Sequence, residues 1–272
     1  MRQRLSELAS PALAGVVREK TALGAIAEMK NCMYDGATMI DLHMSCLADT
    51  TVDTLRKIIG SCRLPVLALN YNTTYEWADA GFTEETRVES FLRAVEAGAA
   101  GVDIQGYTFH LPSKKGFCGD DNYSFTKGNP KEIVTDATII SRQIELIEKV
   151  HSMGAEVLLS CHPGIIMNST QVVELALFLE KRHPDIIKIV TAAVTEEDMV
   201  ESIRTMLWLK KEVKTPVAYH VNGASGRASR IINPLLGGKI AFCVDRYNEG
   251  STMEQIDLKT AALIVKNMEK LM

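Results

Sequence analysis

The chain of 272 residues has no apolar run close to the roughly 18 residues that a membrane-spanning helix needs, and only 6% of its residues are aromatic. Its 46% hydrophobic and 24% charged residues place it outside the disordered, collagenous and coiled-coil classes. A net charge of −4 gives no basic field for nucleic acid. Unlike a signal peptide, Met1–Glu7 has no apolar stretch after its arginines. We therefore predict a globular cytoplasmic protein that binds neither nucleic acid nor a membrane.

The six cysteines follow no metal-binding or disulfide pattern. No Cys-x-x-Cys pair occurs, and most of the cysteines stand next to apolar residues. Scattered cysteines of this kind are usually reduced core thiols. The sequence therefore predicts neither a disulfide framework nor a zinc ribbon.

Short β-rich apolar segments alternate with helical patterns along the whole chain. The predicted strands are Ala12–Val17, Thr38–Met44, Leu64–Asn70, Gly101–Gln105, Glu156–Cys161, Asp185–Val190, Pro216–Val221 and Lys239–Val244. The predicted helices are Val52–Ser61, Thr83–Ala97, Thr135–Met153, Thr170–Arg182, Glu196–Val213, Arg227–Pro234 and Asp257–Met272. Eight strands alternating with helices in about 250 residues are typical of a barrel, and no Gly-x-Gly-x-x-Gly turn marks a doubly wound sheet. We therefore predict an α/β fold, a single (β/α)8 TIM barrel over residues 1–272.

One predicted connection, at about 107–130, is long and irregular for a βα loop. A solvated surface loop is the favoured interpretation. A lid that carries Lys114 or Lys115 over the site is the alternative.

In such a barrel, functional groups lie at the carboxyl ends of the strands and in the loops that follow them. In chain order, the polar residues at these positions are Asp41, His43, Tyr71, Asn72, Glu76, Gln105, Ser160, His162, Lys188, His220, Asn222, Arg227, Ser251 and Gln255. We expect their side chains to converge on one rim.

Lys188 and His162 are the strongest candidates for chemistry. Lys188 stands among isoleucines and a valine in Asp185–Val190, where loss of solvation favours a neutral amine that can attack a ketone. His162 follows the neighbouring strand and suits a general acid or base. Each has a structural alternative: the lysine could reach solvent or pair with an acid, and the histidine could be a structural hydrogen-bonding residue.

Two further patterns point to ligand binding. Arg227 and the glycines before it suit a carboxylate or a phosphate, and Ser251 and Gln255 could add neutral donors, although a solvated loop would look the same. His43, His162 and His220, with Asp41, could instead hold a divalent metal ion. The three histidines lie on separate strands without a compact motif, and a metal site would leave Lys188 without a clear role.

The ordered set of motifs resembles the type I 3-dehydroquinate dehydratases over nearly the whole chain. The motifs are Met39–Met44, Gly101–Gln105, Leu158–His162, Asp185–Ile189, Gly226–Arg230 and Gly250–Ile256. The resemblance implies an α/β barrel, a homodimer, and catalysis without metal or cofactor. It implies a Schiff-base role for Lys188, an acid–base role for His162, and carboxylate binding by Arg227, Ser251 and Gln255.

Several positions depart from the family pattern. The family carries Glu at the position of Asp41 and Arg at that of His43, and it has an acid at that of Gln105. After the third strand it has an arginine and then a glutamate that supports the histidine, whereas this chain has Asn72 and Glu76. The resemblance implies a catalytic role for Glu76, with Tyr75 as the alternative support, and substrate binding by Asp41, His43, Asn72 and Gln105.

The resemblance implies a hydro-lyase of the shikimate pathway, and so of aromatic amino acid biosynthesis, that converts 3-dehydroquinate to 3-dehydroshikimate. Three alternatives stay open. The same Schiff-base chemistry could act on a different hydroxylated keto acid. A metal-dependent lyase or aldolase could use His43, His162 and His220. A non-catalytic barrel could bind a small carboxylate as a signal.

Overall fold

The computed structural model describes residues 3–71, 83–109, 133–247, 254–268 and 270. The strands are β1 (Ala12–Val17), β2 (Met39–His43), β3 (Val66–Leu69), β4 (Gly101–Gln105), β5 (Glu156–Cys161), β6 (Ile186–Ala192), β7 (Val217–Asn222), β8 (Ile240–Val244) and β9 (Ile256–Asp257). The helices are α1 (Ala22–Tyr34), α2 (Val52–Gly60), α3 (Glu84–Ala97), α4 (Ala137–Ser152), α5 (Ser169–Glu180), α6 (Glu196–Glu212), α7 (Ser229–Leu235) and α8 (Leu258–Met268), with short 3-10 turns at Met44–Cys46 and Ala224–Gly226.

The strands form one parallel sheet in which neighbours in the chain are neighbours in space. Its order is β7-β6-β5-β4-β3-β2-β1-β8-β9, with β9 as a two-residue addition beside β8. Where β7 meets the start of β8, the Lys239 N–H donates to the Val217 carbonyl at 2.8 Å. The sheet therefore curls into the predicted (β/α)8 TIM barrel, with the helices outside.

Alternation along each strand divides the apolar residues between two cores. In β6, Ile187 and Ile189 pack in the outer core between sheet and helices, whereas Ile186 belongs to the core inside the barrel. Because side chains alternate along a strand, Lys188 shares the inner face with Ile186. The register of one strand thus directs the lysine into the barrel.

Most of the predicted elements are confirmed, with ends displaced by a few residues. Helix α1 was not predicted: its buried stripe is Ala25, Met29 and Cys32, and with only one large apolar residue it gives a weak apolar signal. The N-cap Thr21, whose side chain accepts a hydrogen bond from the Gly24 N–H, was the available marker. Residues Ile256–Asp257 pair as β9, so the last helix begins at Leu258.

The N-terminal segment closes the amino end of the barrel. Leu5 packs in the inner core, and the buried Glu156 carboxylate accepts hydrogen bonds from the Leu5 and Ser6 N–H groups at 2.5 and 3.0 Å. Arg4 pairs with the same carboxylate at 2.8 Å. This end of the barrel is thus occupied by protein, and the pocket described below lies at the other end. Among the described helices, none combines the length and hydropathy needed to cross a bilayer.

Candidate active site

A pocket at the carboxyl ends of the strands brings together many of the predicted residues. Lys188, His162, Asp41, His43 and Gln255 all line it. The other residues that line it are Arg18, Leu69, Tyr71, Val190, His220, Asn222, Arg230, Phe242 and Glu254. The expectation of one polar rim is therefore met for these side chains.

Lys188 is buried at the base of this pocket, with 6% of its surface exposed. Its Nζ donates to the Tyr71 hydroxyl at 3.2 Å and lies 3.7 Å from Asp103 Oδ2. The amine also lies 4.4 Å from the centre of the Phe242 ring. Lys188 therefore points inward, and its charge partner, Asp103, belongs to the same buried group.

Asp103, on β4, is the acid of this group. Its Oδ1 accepts from Ser160 Oγ at 2.5 Å and from Gln105 Nε2 at 3.3 Å. Burial raises the Asp103 pKa, while the Lys188 charge opposes the shift. The side-chain oxygen of Gln105 accepts from the buried Arg87. Gln105 thus contacts Asp103, which in turn lies next to Lys188. Direct substrate binding by the Gln105 amide stays a prediction.

His162 follows β5 and lies close to the lysine. Its Nε2 is 3.4 Å from the Tyr71 hydroxyl, and the two rings meet edge to face at 5.7 Å. Burial, and then the charge of Lys188, hold the His162 pKa well below its usual range. The imidazole is therefore neutral near pH 7 and can accept a proton.

Two other histidines line the pocket in neutral form. His43 Nε2 lies 3.3 Å from Asp41 Oδ2, and burial lowers its pKa although the hydrogen bond to Asp41 opposes the shift. Burial, and then Arg230, lower the His220 pKa well below its usual value. Within the described ranges, no three His, Cys, Asp or Glu side chains are placed to bind one metal ion. The metal-dependent alternative therefore has no ligand set in this part of the chain.

These histidines should make the protein less stable in mild acid. The pKa values of His43, His162 and His220 are lowered by folding, whereas an unfolded histidine titrates at about 6.5. Below that pH the unfolded chain binds protons that the folded chain does not, so the free energy of unfolding falls as pH falls. The raised pKa values of Glu28, Asp103 and Asp245 oppose this trend, but these carboxyls start from ordinary values of 4.5, 3.8 and 3.8, below the range in which histidines titrate.

Urea unfolding at a series of pH values from about 7.5 to about 5.5 measures this effect. Each neutral histidine contributes a slope of up to about 1.4 kcal/mol per pH unit. We expect His220→Gln to remove about one such contribution. A free energy of unfolding that does not change with pH in this range would contradict the assignment of neutral imidazoles.

The structure separates the two arginines of the Gly226–Arg230 motif. Arg227 is exposed and donates to the Tyr247 hydroxyl at 3.0 Å, outside the pocket lining. Arg230 is buried in the pocket wall, where its Nη2 lies 2.5 Å from Asn222 Oδ1 and 3.5 Å from Glu254 Oε2. Burial lowers the Arg230 pKa to about 10, and its Nε has no hydrogen-bond partner among the described residues.

The glycine loop before these arginines is not the open anion site that its sequence indicates. The Gly223 N–H donates to Glu254 Oε1 at 2.7 Å, and the Gly226 N–H donates to the Gly223 carbonyl at 3.0 Å. Gly223 has φ = 107°, and a Cβ there would lie 2.1 Å from the Ala193 carbonyl oxygen. The glycine is thus required by close packing, and a carboxylate of the protein already occupies its N–H.

Three pocket residues were missed or received no role from the sequence. Arg18 follows β1, lines the pocket, and lowers the pKa of His43 and of Arg230 by its charge. Arg230 could not be singled out from sequence, because its direction depends on the residue at which α7 begins. Tyr71 was placed on the rim, but its contact with Lys188 depends on how β3 and β6 face each other across the barrel.

Some predicted residues lie outside the part of the chain that the structure describes. They are Asn72, Tyr75, Glu76 and Ser251, together with most of the 107–130 loop, including Lys114 and Lys115. Gln255 is described: it is buried in the pocket wall, and its Oε1 has no hydrogen-bond partner among the described residues. The roles of Asn72, Tyr75, Glu76, Ser251 and Gln255 stay predictions.

Comparison with known proteins identifies one family. The family model for type I 3-dehydroquinase matches residues 128–272. A type I 3-dehydroquinate dehydratase from Clostridium difficile, with covalent modified comenic acid, is a similar solved structure: its TM-score is 0.74 at 12% identity, with 100% of each chain covered.

The 3-dehydroquinate dehydratase from Geobacillus kaustophilus has a TM-score of 0.72 at 12% identity, with 98% of this chain and 97% of that chain covered. The enzyme from Aquifex aeolicus has a TM-score of 0.64 at 15% identity, with 94% and 98% covered. No curated protein matches the sequence at a significant level. At such low identities the solved structures show the fold.

Proposed function

The chain belongs to the type I 3-dehydroquinase family, and from this premise we propose that it is a hydro-lyase that converts 3-dehydroquinate to 3-dehydroshikimate through a Schiff base on Lys188. One observation carries the proposal. The Lys188 amine and the His162 imidazole lie against the same tyrosine hydroxyl, at 3.2 and 3.4 Å, inside a buried pocket. An amine and a neutral base in this arrangement suit elimination next to a carbonyl.

The proposed reaction uses these two side chains in sequence. The Lys188 amine adds to the ketone in its unprotonated form, and the carbinolamine takes up one proton and loses water to form an iminium ion. The iminium draws electrons from the adjacent carbon, so His162 can take a proton from that carbon. The C–H electron pair forms the new double bond, and the β-hydroxyl leaves as water with the proton that His162 returns. Hydrolysis of the iminium frees Lys188 and the enone.

The substrate carboxylate is proposed to bind at Arg230, with Arg18 and Gln255 nearby in the same wall. Buried guanidinium groups bind carboxylates strongly, and Arg230 Nε is an N–H donor without a hydrogen-bond partner among the described residues. Arg227, the candidate from sequence, is exposed and bonded to Tyr247. We therefore transfer the proposed carboxylate role from Arg227 to Arg230.

The two arginines give a matched test of this subsite. We expect Arg230→Gln to raise the KM for 3-dehydroquinate between about 10- and 100-fold, because a hydrogen bond to a charged group contributes about 1.5–3 kcal/mol. Arg227→Gln should change KM less than about twofold, since an exposed arginine contributes little. Steady-state kinetics on both variants, with circular dichroism to check folding, decide the matter. Equal effects of the two substitutions would refute the transfer.

The overall proposal has a direct assay. Incubation with 3-dehydroquinate should produce the ultraviolet absorbance of a conjugated enone. Borohydride added during turnover should reduce the iminium and leave a stable adduct, which peptide mass analysis should place on Lys188. Binding of the compound without absorbance change or adduct would favour the non-catalytic alternative.

A different hydroxylated keto acid is the second candidate substrate. It is favoured by His43 and His220, which are buried with lowered pKa values and so offer neutral hydrogen bonds to a ligand. A site built to bind a particular hydroxyl can discriminate by about 10⁴-fold against a compound that lacks it. Parallel assays with cyclic keto acids that differ in one hydroxyl would identify the preferred substrate. The homodimer implied by the resemblance and the cytoplasmic location predicted from the N-terminal sequence stay predictions.

A further inference from the structure

The Tyr71 hydroxyl lies between the three ionisable groups at the base of the pocket. It is 3.2 Å from Lys188 Nζ, 3.4 Å from His162 Nε2 and 3.5 Å from Asp103 Oδ2. The tyrosine follows the last residue of β3 by two positions and is 4% exposed. Its ring meets the rings of His43 and His162 edge to face, with centroids 6.1 and 5.7 Å away. The hydroxyl is therefore held in place against the amine.

We propose that Tyr71 is a catalytic residue that transfers a proton during formation and hydrolysis of the Lys188 Schiff base. The inference rests on the proposed function, since it concerns the same lysine. The carbinolamine hydroxyl cannot leave as hydroxide in a buried site. The Tyr71 O–H gives its proton to that hydroxyl, the C–O bond breaks, and the nitrogen lone pair forms the C=N bond. Water departs and a phenolate remains.

The charges after this step favour it. The phenolate lies next to the iminium that replaces the amine, and an opposite charge at this distance stabilises the ionised form of a buried group. In hydrolysis the order reverses: water adds to the iminium carbon and gives a proton to the phenolate, which restores the Tyr71 hydroxyl. Atoms and charges therefore balance without any further reactant.

The neighbouring groups are less suited to this transfer. Asp103 Oδ2 is farther from the amine, at 3.7 Å, and its other oxygen is occupied by Ser160 and Gln105. His162 meets the same hydroxyl of Tyr71, and the proposed reaction needs it at the carbon. Among the described polar groups that the proposed reaction does not otherwise use, the Tyr71 hydroxyl is thus nearer to Nζ than the Asp103 carboxylate.

The test compares Tyr71→Phe with Tyr219→Phe. Both substitutions remove one buried hydroxyl, but that of Tyr219 bonds to Thr191 in the outer layer, away from the pocket. The first measurement is the rate of borohydride-trapped adduct on Lys188 with 3-dehydroquinate. The second is exchange of the ketone oxygen with ¹⁸O-labelled water, which reports iminium formation and hydrolysis even when dehydration is slow.

We expect Tyr71→Phe to slow both rates by about 100-fold, the usual scale of general acid–base catalysis, while Tyr219→Phe stays within about twofold of the wild type. Because phenylalanine keeps the ring, KM should change little, which separates a catalytic role from a role in shaping the pocket. Rates within about twofold of the wild type for Tyr71→Phe would overturn the inference, as would a rise in KM alone.

Failure of the role of Tyr71 can be distinguished from failure of the proposed dehydration. If 3-dehydroquinate and 3-dehydroshikimate leave no adduct on the wild-type protein, the proposed dehydration fails. The same two variants are then compared with pyruvate and glyoxylate as carbonyl probes, and a 100-fold slower adduct in Tyr71→Phe alone still supports the tyrosine. A wild-type protein that traps none of the four compounds overturns both.

Discussion

Lys188→Met is expected to lower kcat/KM for 3-dehydroquinate by about 10⁴-fold or more and to abolish the borohydride adduct, because loss of a covalent nucleophile removes the entire low-energy route. Methionine fills nearly the same volume without an amine. It also removes the charge that faces Asp103, 3.7 Å away, and burial already raises the Asp103 pKa. That carboxyl can therefore become protonated, and the pocket should stay folded. Ultraviolet kinetics and peptide mass analysis measure the two effects.

Lys211→Met is the matched control. The same substitution on α6 removes a lysine whose side chain is 80% exposed and pairs with Glu212 at 3.6 Å. It should leave both activity and adduct unchanged. If Lys188→Met retains the wild-type rate, or if the adduct appears on another lysine, the Schiff-base proposal is wrong.

The barrel and its central lysine could be predicted from sequence because both depend on local alternation. A strand such as β6 is apolar on both faces, so a single lysine within it stands out. The lysine points inward because side chains alternate along the strand: Ile187 and Ile189 pack in the outer core, whereas Ile186, two positions before Lys188, packs in the inner core. The carboxyl-end rule for TIM barrels then places His162, one strand away, on the same rim. These inferences require only strand positions and their order.

The anion site could not be predicted in the same way because it depends on the phase of a helix. Arg227 lies two residues before the first residue of α7, Ser229, whereas Arg230 lies inside the helix, so the point at which the helix begins decides which arginine faces the pocket. The glycines suggested a free anion cradle, but Glu254 reaches the Gly223 N–H from a segment 31 residues away. A contact over that separation leaves no local trace in the sequence.

Tyr71 illustrates a third kind of information. The role proposed for its hydroxyl depends on contacts with Lys188, 117 positions later, and with Asp103 on the adjacent strand. Sequence order predicts that β3 and β4 are neighbours, but it does not predict that a long side chain crosses the barrel interior to reach β6. The resemblance implies Glu76 as the support of His162, and that role stays a prediction because Glu76 lies outside the described residues; the contact of Tyr71 with the imidazole is one that the resemblance does not imply.

His162→Gln should separate the two halves of the proposed reaction. Glutamine keeps a neutral polar group near the Tyr71 hydroxyl but cannot take a proton from carbon, so we expect turnover to fall by about 10³-fold. The Lys188 amine and its contacts with Tyr71 and Asp103 remain in place. The borohydride adduct should therefore still form on Lys188, at a rate close to that of the wild type.

The mass of that adduct identifies the blocked step. An adduct that retains the β-hydroxyl of 3-dehydroquinate shows that the reaction stops before elimination, as expected if His162 removes the proton. His151→Gln, at an exposed histidine that bonds to Asp185 at 2.7 Å, is the control and should turn over normally. Full activity in His162→Gln would assign the base to another group. Loss of the adduct together with turnover would instead place His162 in Schiff-base formation, in competition with Tyr71, so the two variants measured side by side assign the two proton transfers.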